Sequence, residues 1–332
     1  MSPPGLDPRG DAAGAGAAER RLRLVFLGSG SFGLPTLHAI GQRHDVALVI
    51  SQPDRPAGRG RAMTPTPIAA WAQERNIPVR KPERANESIE VSALRAVGAD
   101  AFVVIAFGQK LSSELLGTTF AINLHASLLP AYRGAAPINW AMMDGLDETG
   151  VSVISLAQRM DAGLVYARRT TAIEPTETCG ELHDRLATMG PEAVLATLGE
   201  FARGSLVGES QDESRVSKAR KLSREDGRID VTGSSARALR GWIHGLTPWP
   251  GCDVQVGGQA IRLLRVRDHA EGGGEPGTIQ ADRTIACASG RLEVLELQPP
   301  GGRAMTLDAF CAGRRWESGM RVTRVSESKV GG

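Results

Sequence analysis

Leu24-Val25-Phe26-Leu27-Gly28-Ser29-Gly30-Ser31-Phe32-Gly33 runs from four consecutive apolar residues through a glycine turn into an amphipathic stretch that reaches Gln42. An apolar run without polar alternation describes a strand buried on both faces, the condition of a parallel sheet covered by helices. The same rhythm returns downstream. Further strands are predicted at 46–51, 101–106, 121–125 and 151–156, and helices at 32–42, 68–75, 88–97, 137–143 and 178–199. This alternation, from about Arg23 to Ile173, predicts an α/β, Rossmann-like domain with a parallel sheet.

The glycines satisfy the dinucleotide fingerprint G-x-G-x-x-G in letters and placement. That fingerprint also requires an acid at the end of the second strand to hold a ribose. Here that strand ends Val49-Ile50-Ser51-Gln52, and Asp54 falls inside the loop Gln52-Pro53-Asp54-Arg55-Pro56-Ala57-Gly58-Arg59-Gly60-Arg61. The glycines therefore read as a tight strand-to-helix turn, and no NAD is expected. The loop itself carries three arginines at the carboxyl end of a strand. Their planar donor forks suit phosphates or base edges.

With 332 residues the chain is long enough for two domains. Residues 206–232 are polar, without a sustained apolar period, and include the basic cluster Arg215, Lys218, Arg220, Lys221, Arg224 and Arg228. Beyond them, short runs at 251–256, 260–266, 277–280, 285–288 and 292–297 alternate with glycine-rich turns, a spacing that predicts a small β-barrel. The expected division is a disordered leader over 1–21, a catalytic domain over 22–205, a basic linker over 206–232, a barrel over 233–325 and a tail over 326–332.

Apolar residues make up 41% and charged residues 23% of the chain, and net charge is +2. No run approaches the ~18–20 apolar residues that a membrane span requires. The leader contains Asp7, Asp11 and Glu19 and no apolar core of a secretory signal. Cys179, Cys252, Cys287 and Cys311 show no C-x-x-C spacing, so neither a metal site nor a disulfide framework is expected. A reducing cytoplasm fits this pattern. His183 and His244 read as ordinary polar residues on helices.

Chemistry concentrates in Ile122-Asn123-Leu124-His125-Ala126-Ser127-Leu128-Leu129-Pro130, continued by Ala131-Tyr132-Arg133-Gly134-Ala135-Ala136-Pro137 and, later, by Met160-Asp161-Ala162-Gly163. Asn123 and His125 are two apart on one predicted strand, so their side chains share a face. The loop at that strand's end lies where open α/β sheets bind ligands. Acyl transfer to an amine passes through an anionic tetrahedral intermediate, which an amide and an imidazole could stabilise as hydrogen-bond donors. Asp161 could organise the accompanying proton transfers.

At these residues the chain resembles the folate-dependent formyltransferases, over most of its length from about Arg23 to Arg321. The segments I-N-L-H-A-S-L-L-P-A-Y-R-G-A-A-P-I-N-W, D-E-T-G-V-S-V and M-D-A-G carry the resemblance. It implies that Asn123, His125 and Asp161 are catalytic and that Ser127, Leu128, Leu129 and Pro130 border the folate. It further implies 10-formyltetrahydrofolate as donor, with no metal and no covalent enzyme intermediate.

Three further segments are similar to the branch whose acceptor is the methionine esterified to initiator tRNA. They are Q-P-D-R-P-A-G-R-G at 52–60, the basic connector at 211–230, and Thr247-Pro248-Trp249-Pro250-Gly251. By that resemblance Arg55, Arg59, Arg61, Lys218 and Lys221 are expected to contact tRNA, and the protein to be a cytoplasmic monomer of bacterial type. The chain departs from the branch at Asp161-Ala162-Gly163-Leu164, where D-T-G-D is usual. Two alternatives stand beside this reading: a formyltransferase acting on a nucleotide-linked amino sugar, and a catalytically silent RNA-binding protein.

Overall fold

The computed structural model describes residues 20–58 and 60–325. The expected leader, apart from Arg20 and Arg21, the expected tail and Arg59 lie outside the described residues. The chain opens with β1 (Arg23–Gly28), α1 (Leu34–Arg43) and β2 (Asp45–Ile50), then a hairpin of β3 (Arg55–Ala57) and β4 (Ala62–Thr64). Next come α2 (Pro67–Glu74), β5 (Val79–Arg80), α3 (Ser88–Ala96), β6 (Ala101–Ile105), α4 (Ser113–Leu116) and β7 (Phe120–His125). The domain is completed by β8 (Arg133–Gly134), α5 (Pro137–Met143), β9 (Glu148–Ser155), β10 (Val165–Ala172) and the long α6 (Cys179–Arg203).

Seven strands form one sheet in the order β10-β9-β7-β6-β1-β2-β5. The five from β7 to β5 are parallel, as expected, while β9 runs opposite to them and β10, antiparallel to β9, forms that edge. Burial on both faces explains the opening apolar run. Leu24 and Phe26 pack toward Leu37 of α1 and Leu186 of α6, whereas Val25 and Leu27 pack toward Val91 and Leu94 of α3. Each such fully buried side chain contributes ~1.5–3 kcal/mol.

The glycine turn has a packing cause. A Cβ on Gly28 would lie 2.5 Å from the Phe26 ring and 2.8 Å from the Ile105 carbonyl oxygen. The tips of the central strands are tied together there, because Ser29 Oγ donates to the Phe107 carbonyl at 3.2 Å and accepts from Gln52 N at 3.1 Å. Asp54, the acid nearest the end of β2, is held by Lys81 Nζ at 2.6 Å.

The connector contains β11 (Lys218–Ala219) and leads to α7 (Ala236–Gly245), a helix that the sequence reading did not separate from the barrel. The antiparallel barrel strands are β12 (Cys252–Val256), β13 (Gln259–His269), β14 (Ile285–Ala286), β15 (Arg291–Gln298) and β16 (Met305–Thr306), followed by α8 (Leu307–Cys311) and β17 (Val322–Arg324). Their order is β14-β15-β13-β12-β17, with β16 added to β15. Residues 278 and 279 nearly close the ring, since Thr278 bridges Arg321 beside β17 and Ile279 bridges Ile285 of β14.

The two domains meet along α5 and α7. A Cβ on Gly241 would sit 2.7 Å from the Met142 carbonyl oxygen, so the missing side chain lets the helices touch through backbone. Asn139 Nδ2 donates to the Gly245 carbonyl at 2.7 Å, and Trp140 meets Trp242 edge-on at 6.3 Å. Ala136 and Met143, though in the first domain, belong to the same buried cluster as the barrel core. An ion pair crosses the junction between Glu181 of α6 and Arg265 of β13, at 2.8 Å. The Arg265 guanidinium holds the Glu181 carboxyl well below its usual range, at about 2.

His244 is not the ordinary polar residue that its sequence context suggested. It is 3% exposed, and its Nε2 accepts a hydrogen bond from the Val266 main-chain N–H at 3.0 Å, which requires an unprotonated nitrogen. Burial, then the Arg240 and Arg265 charges, lowers its pKa from 6.5 to about 4, against a small opposing pull from Glu181. A histidine held neutral contributes stability that is complete above pH 6.5 and is lost as pH falls toward 4, because the unfolded chain then binds the extra proton. Between pH 8 and 5 this one group should remove about 2 kcal/mol of stability. Urea unfolding of the parent and of His244→Gln at both pH values checks this: the variant should lose less stability on acidification, and equal losses in the two proteins would refute it.

Candidate active site

Asn123 and His125 stand at the carboxyl end of β7, two residues apart and therefore on one face. Asn123 is half-buried, and its carboxamide makes no hydrogen bond among the described residues. His125 is 6% exposed, with Nε2 at 2.9 Å from the Tyr132 carbonyl oxygen. A carbonyl only accepts, so Nε2 carries a proton and Nδ1 is the nitrogen facing Asp161 Oδ2 at 3.7 Å. A second proton on Nδ1 would lie between the imidazole and the carboxylate. The pair can thus present or withdraw one proton beside the unpartnered amide.

The loop after β7 is built from within. Ser127 is fully buried and donates its hydroxyl to the Ala131 carbonyl at 2.6 Å. Ser152 Oγ of β9 donates to the Ser127 carbonyl at 2.7 Å and accepts from Leu129 N at 3.1 Å. Leu129 is buried, whereas Leu128 and Pro130 are half-buried. A hydroxyl consumed internally shapes the loop and is not available to a ligand.

Asp161 reaches the site by an unusual path. Its φ is 54°, a left-handed conformation that costs a non-glycine residue about 1 kcal/mol or more. Its carboxylate accepts the Gly134 N–H at 2.9 Å. Gly134 can aim that N–H inward because its φ is 132°, and a Cβ there would lie 2.3 Å from the Ala219 carbonyl oxygen. Of the three polar groups singled out from the sequence, His125 and Asp161 face each other and Asn123 shares a strand face with His125; the residues that hold them, Tyr132, Arg133, Gly134 and Gln211, were not singled out for that task.

The expected tRNA contacts are distributed differently. Arg55 and Arg61 lie on or beside the β3–β4 hairpin, which pairs only with itself, and all six of its strand residues are exposed. The described residues on either side of Arg59 thus form a finger that stands off the main sheet. Arg55 makes one loose, exposed pair with Glu83 at 3.5 Å. Lys218 and Lys221 are exposed on the connector and have no ion pair among the described residues. Neighbouring Arg220 is occupied, paired with Asp226 and stacked over the Trp140 ring at 4.8 Å.

Among the described residues no group of three or more His, Cys, Asp or Glu could hold a metal ion, and no helix is long and apolar enough to cross a membrane.

Residues 22–198 match the formyl transferase family, and residues 221–315 match the formyl transferase C-terminal domain. The methionyl-tRNA formyltransferase of Geotalea daltonii is 38% identical over 308 residues, covering 91% of this chain and 98% of its own. That of Paracoccus denitrificans is 41% identical over 286 residues, covering 86% and 95%. In fold, the chain is similar to the N-formyltransferase of Helicobacter canadensis solved with folinic acid and dTDP-3-aminofucose. The TM-score is 0.64 at 13% identity, over 82% of this chain and 98% of that one.

Proposed function

Because the chain belongs to the formyl transferase family, we propose that it moves the formyl group of 10-formyltetrahydrofolate onto the α-amino group of methionyl initiator tRNA. The methionyl-tRNA formyltransferases to which it is similar span nearly the same length, so both domains are accounted for. The sugar-modifying neighbour shares only the fold, at 13% identity. The observation that carries the reading is the half-buried, unpartnered Asn123 amide beside the His125–Asp161 pair.

In this reading Ser127, Leu128, Leu129 and Pro130 form the border of the folate site, with Leu128 and Pro130 facing it. The formyl carbonyl lies against Asn123 and His125. As the methionine amine attacks the formyl carbon, charge grows on the formyl oxygen, and the Asn123 N–H together with a proton on His125 Nδ1, the ring nitrogen that Tyr132 leaves free, stabilises it. The amine's surplus proton passes to the Asp161–His125 pair, directly or through water, and from there to the departing folate nitrogen. No covalent bond to the protein is formed.

The finger carrying Arg55, Arg59 and Arg61, with Lys218 and Lys221 on the connector, holds the tRNA by its phosphates. Such binding releases counterions, so affinity falls with salt. Changing Arg55, Arg59 and Arg61 together to alanine should weaken methionyl-tRNA binding and flatten log K against log salt by about 1 for each phosphate no longer neutralised, with the folate Kd unchanged. An unchanged slope would remove the finger from the tRNA site. The activity itself is tested by supplying purified protein with 10-formyltetrahydrofolate and methionine charged on initiator or elongator tRNA: formylation of the initiator alone is the expected result.

A further inference from the structure

Residues 206–232 join two cores, and their polar composition reads as a spacer. The first half of the connector is instead stitched into the candidate active site. Glu209 exchanges main-chain hydrogen bonds with Val165 at 2.8 and 2.9 Å. Its carboxylate receives Arg168 Nη1 at 2.6 Å, and Arg168 Nε donates to the Leu129 carbonyl at 3.1 Å. Farther along, Ser217 accepts the main-chain N–H groups of Tyr132 on Oγ at 2.8 Å and of Arg133 on its carbonyl at 2.9 Å. Strand β11 then pairs in parallel with β8.

Gln211 occupies the middle of this seam. Its Nε2 donates to the Asp161 and Gly163 carbonyls, both at 2.8 Å. Its Oε1 accepts from Arg133 Nε at 3.0 Å and Nη2 at 2.8 Å. The orientation of the amide is fixed, because carbonyls only accept and a guanidinium only donates. Both N–H groups and both lone pairs are used. The left-handed backbone at Asp161 would relax if nothing outside the loop held it, and Gln211 grips the loop at that residue and two residues later.

We propose that Gln211 is a positioning residue for formyl transfer: its carboxamide fixes the Asp161 main chain so that the carboxylate stays against His125, which makes the connector part of the active site. The inference rests on the role given to Asp161 above. A merely structural Gln211 would serve to satisfy buried Arg133, and Gln211→Glu separates the two roles. The carboxylate keeps an acceptor toward Arg133 but sets oxygen in place of N–H against two carbonyls at 2.8 Å.

A displacement of the reacting group by about 1 Å costs about 100-fold in rate. Gln211→Glu should therefore lower kcat about 100-fold, with KM for folate donor and for methionyl-tRNA each within about twofold. Gln211→Met, which removes the hydrogen bonds without adding repulsion, should lower kcat in the same way and serves if the glutamate variant fails to fold. Asp161→Ala is measured in parallel. Gln211 variants within threefold of the parent kcat beside an inactive Asp161→Ala would overturn the clamp alone. An active Asp161→Ala would instead overturn the role of Asp161, and the clamp with it.

Discussion

Replacing His125 by alanine is expected to lower kcat for formylation of methionyl-tRNA about a thousandfold, while tRNA and folate affinities change little. The size follows from its two tasks. Loss of one donor to a developing oxyanion costs about 10²–10³ in rate, and loss of a positioned proton carrier costs about 10²–10⁴; because the two act on one step, the combined loss does not multiply. The truncation also leaves the Tyr132 carbonyl without its partner in a buried place, at about 1–3 kcal/mol. Turnover under single-turnover conditions, measured beside thermal melting, separates the chemical loss from this structural one. A folded His125→Ala protein working within tenfold of the parent would remove the imidazole from the mechanism.

Gly163→Ala should be nearly as damaging without touching any polar group. A Cβ at this position would lie 1.8 Å from the Ser155 carbonyl oxygen and 2.6 Å from Ser155 Oγ. Neither neighbour can yield, because Ser155 N and Oγ are both bonded to the Leu164 main chain, at 2.9 and 2.8 Å. The loop must therefore move, and Asp161 with it. A shift of about 1 Å predicts a fall of about 100-fold in kcat, and overpacking adds about 1–3 kcal/mol of destabilisation. Activity and urea midpoint measured together check both, and a variant with parental values of each would show that the loop has slack.

The parts of the fold that the sequence announces are those buried on both sides. Strand β6 is apolar throughout and β1 is apolar from Leu24 to Leu27, so the parallel centre could be placed to within a residue or two, while the last turn of α6 ran past its predicted end. Strand β10 escaped because Val165–Ala172 carries two arginines and two threonines on an exposed sheet edge, and β5 because two residues make no pattern. Helix α7 was read only at His244, and its extent was blurred by Gly241 and Gly245, each of which costs a helix about 1 kcal/mol relative to alanine. The structure uses both as the contact with α5.

The candidate site divides in the same way. Asn123 and His125 are legible from strand periodicity alone. The approach of Asp161 depends on a glycine N–H from β8, on a left-handed turn and on a glutamine 50 residues away in sequence. In a polar stretch such a glutamine looks like any solvated residue, and only the folded chain reveals its four hydrogen bonds to three residues.

The burial of Ala136 and Met143 in the barrel's core bears on how such proteins can be recombined. A C-terminal half taken from another family member would arrive without the two side chains that plug its base, and would have to accept whatever the host helix offered. Chimeras cut at the connector should thus succeed only when α5 travels with the barrel, which makes the apparent two-module layout a single heritable unit.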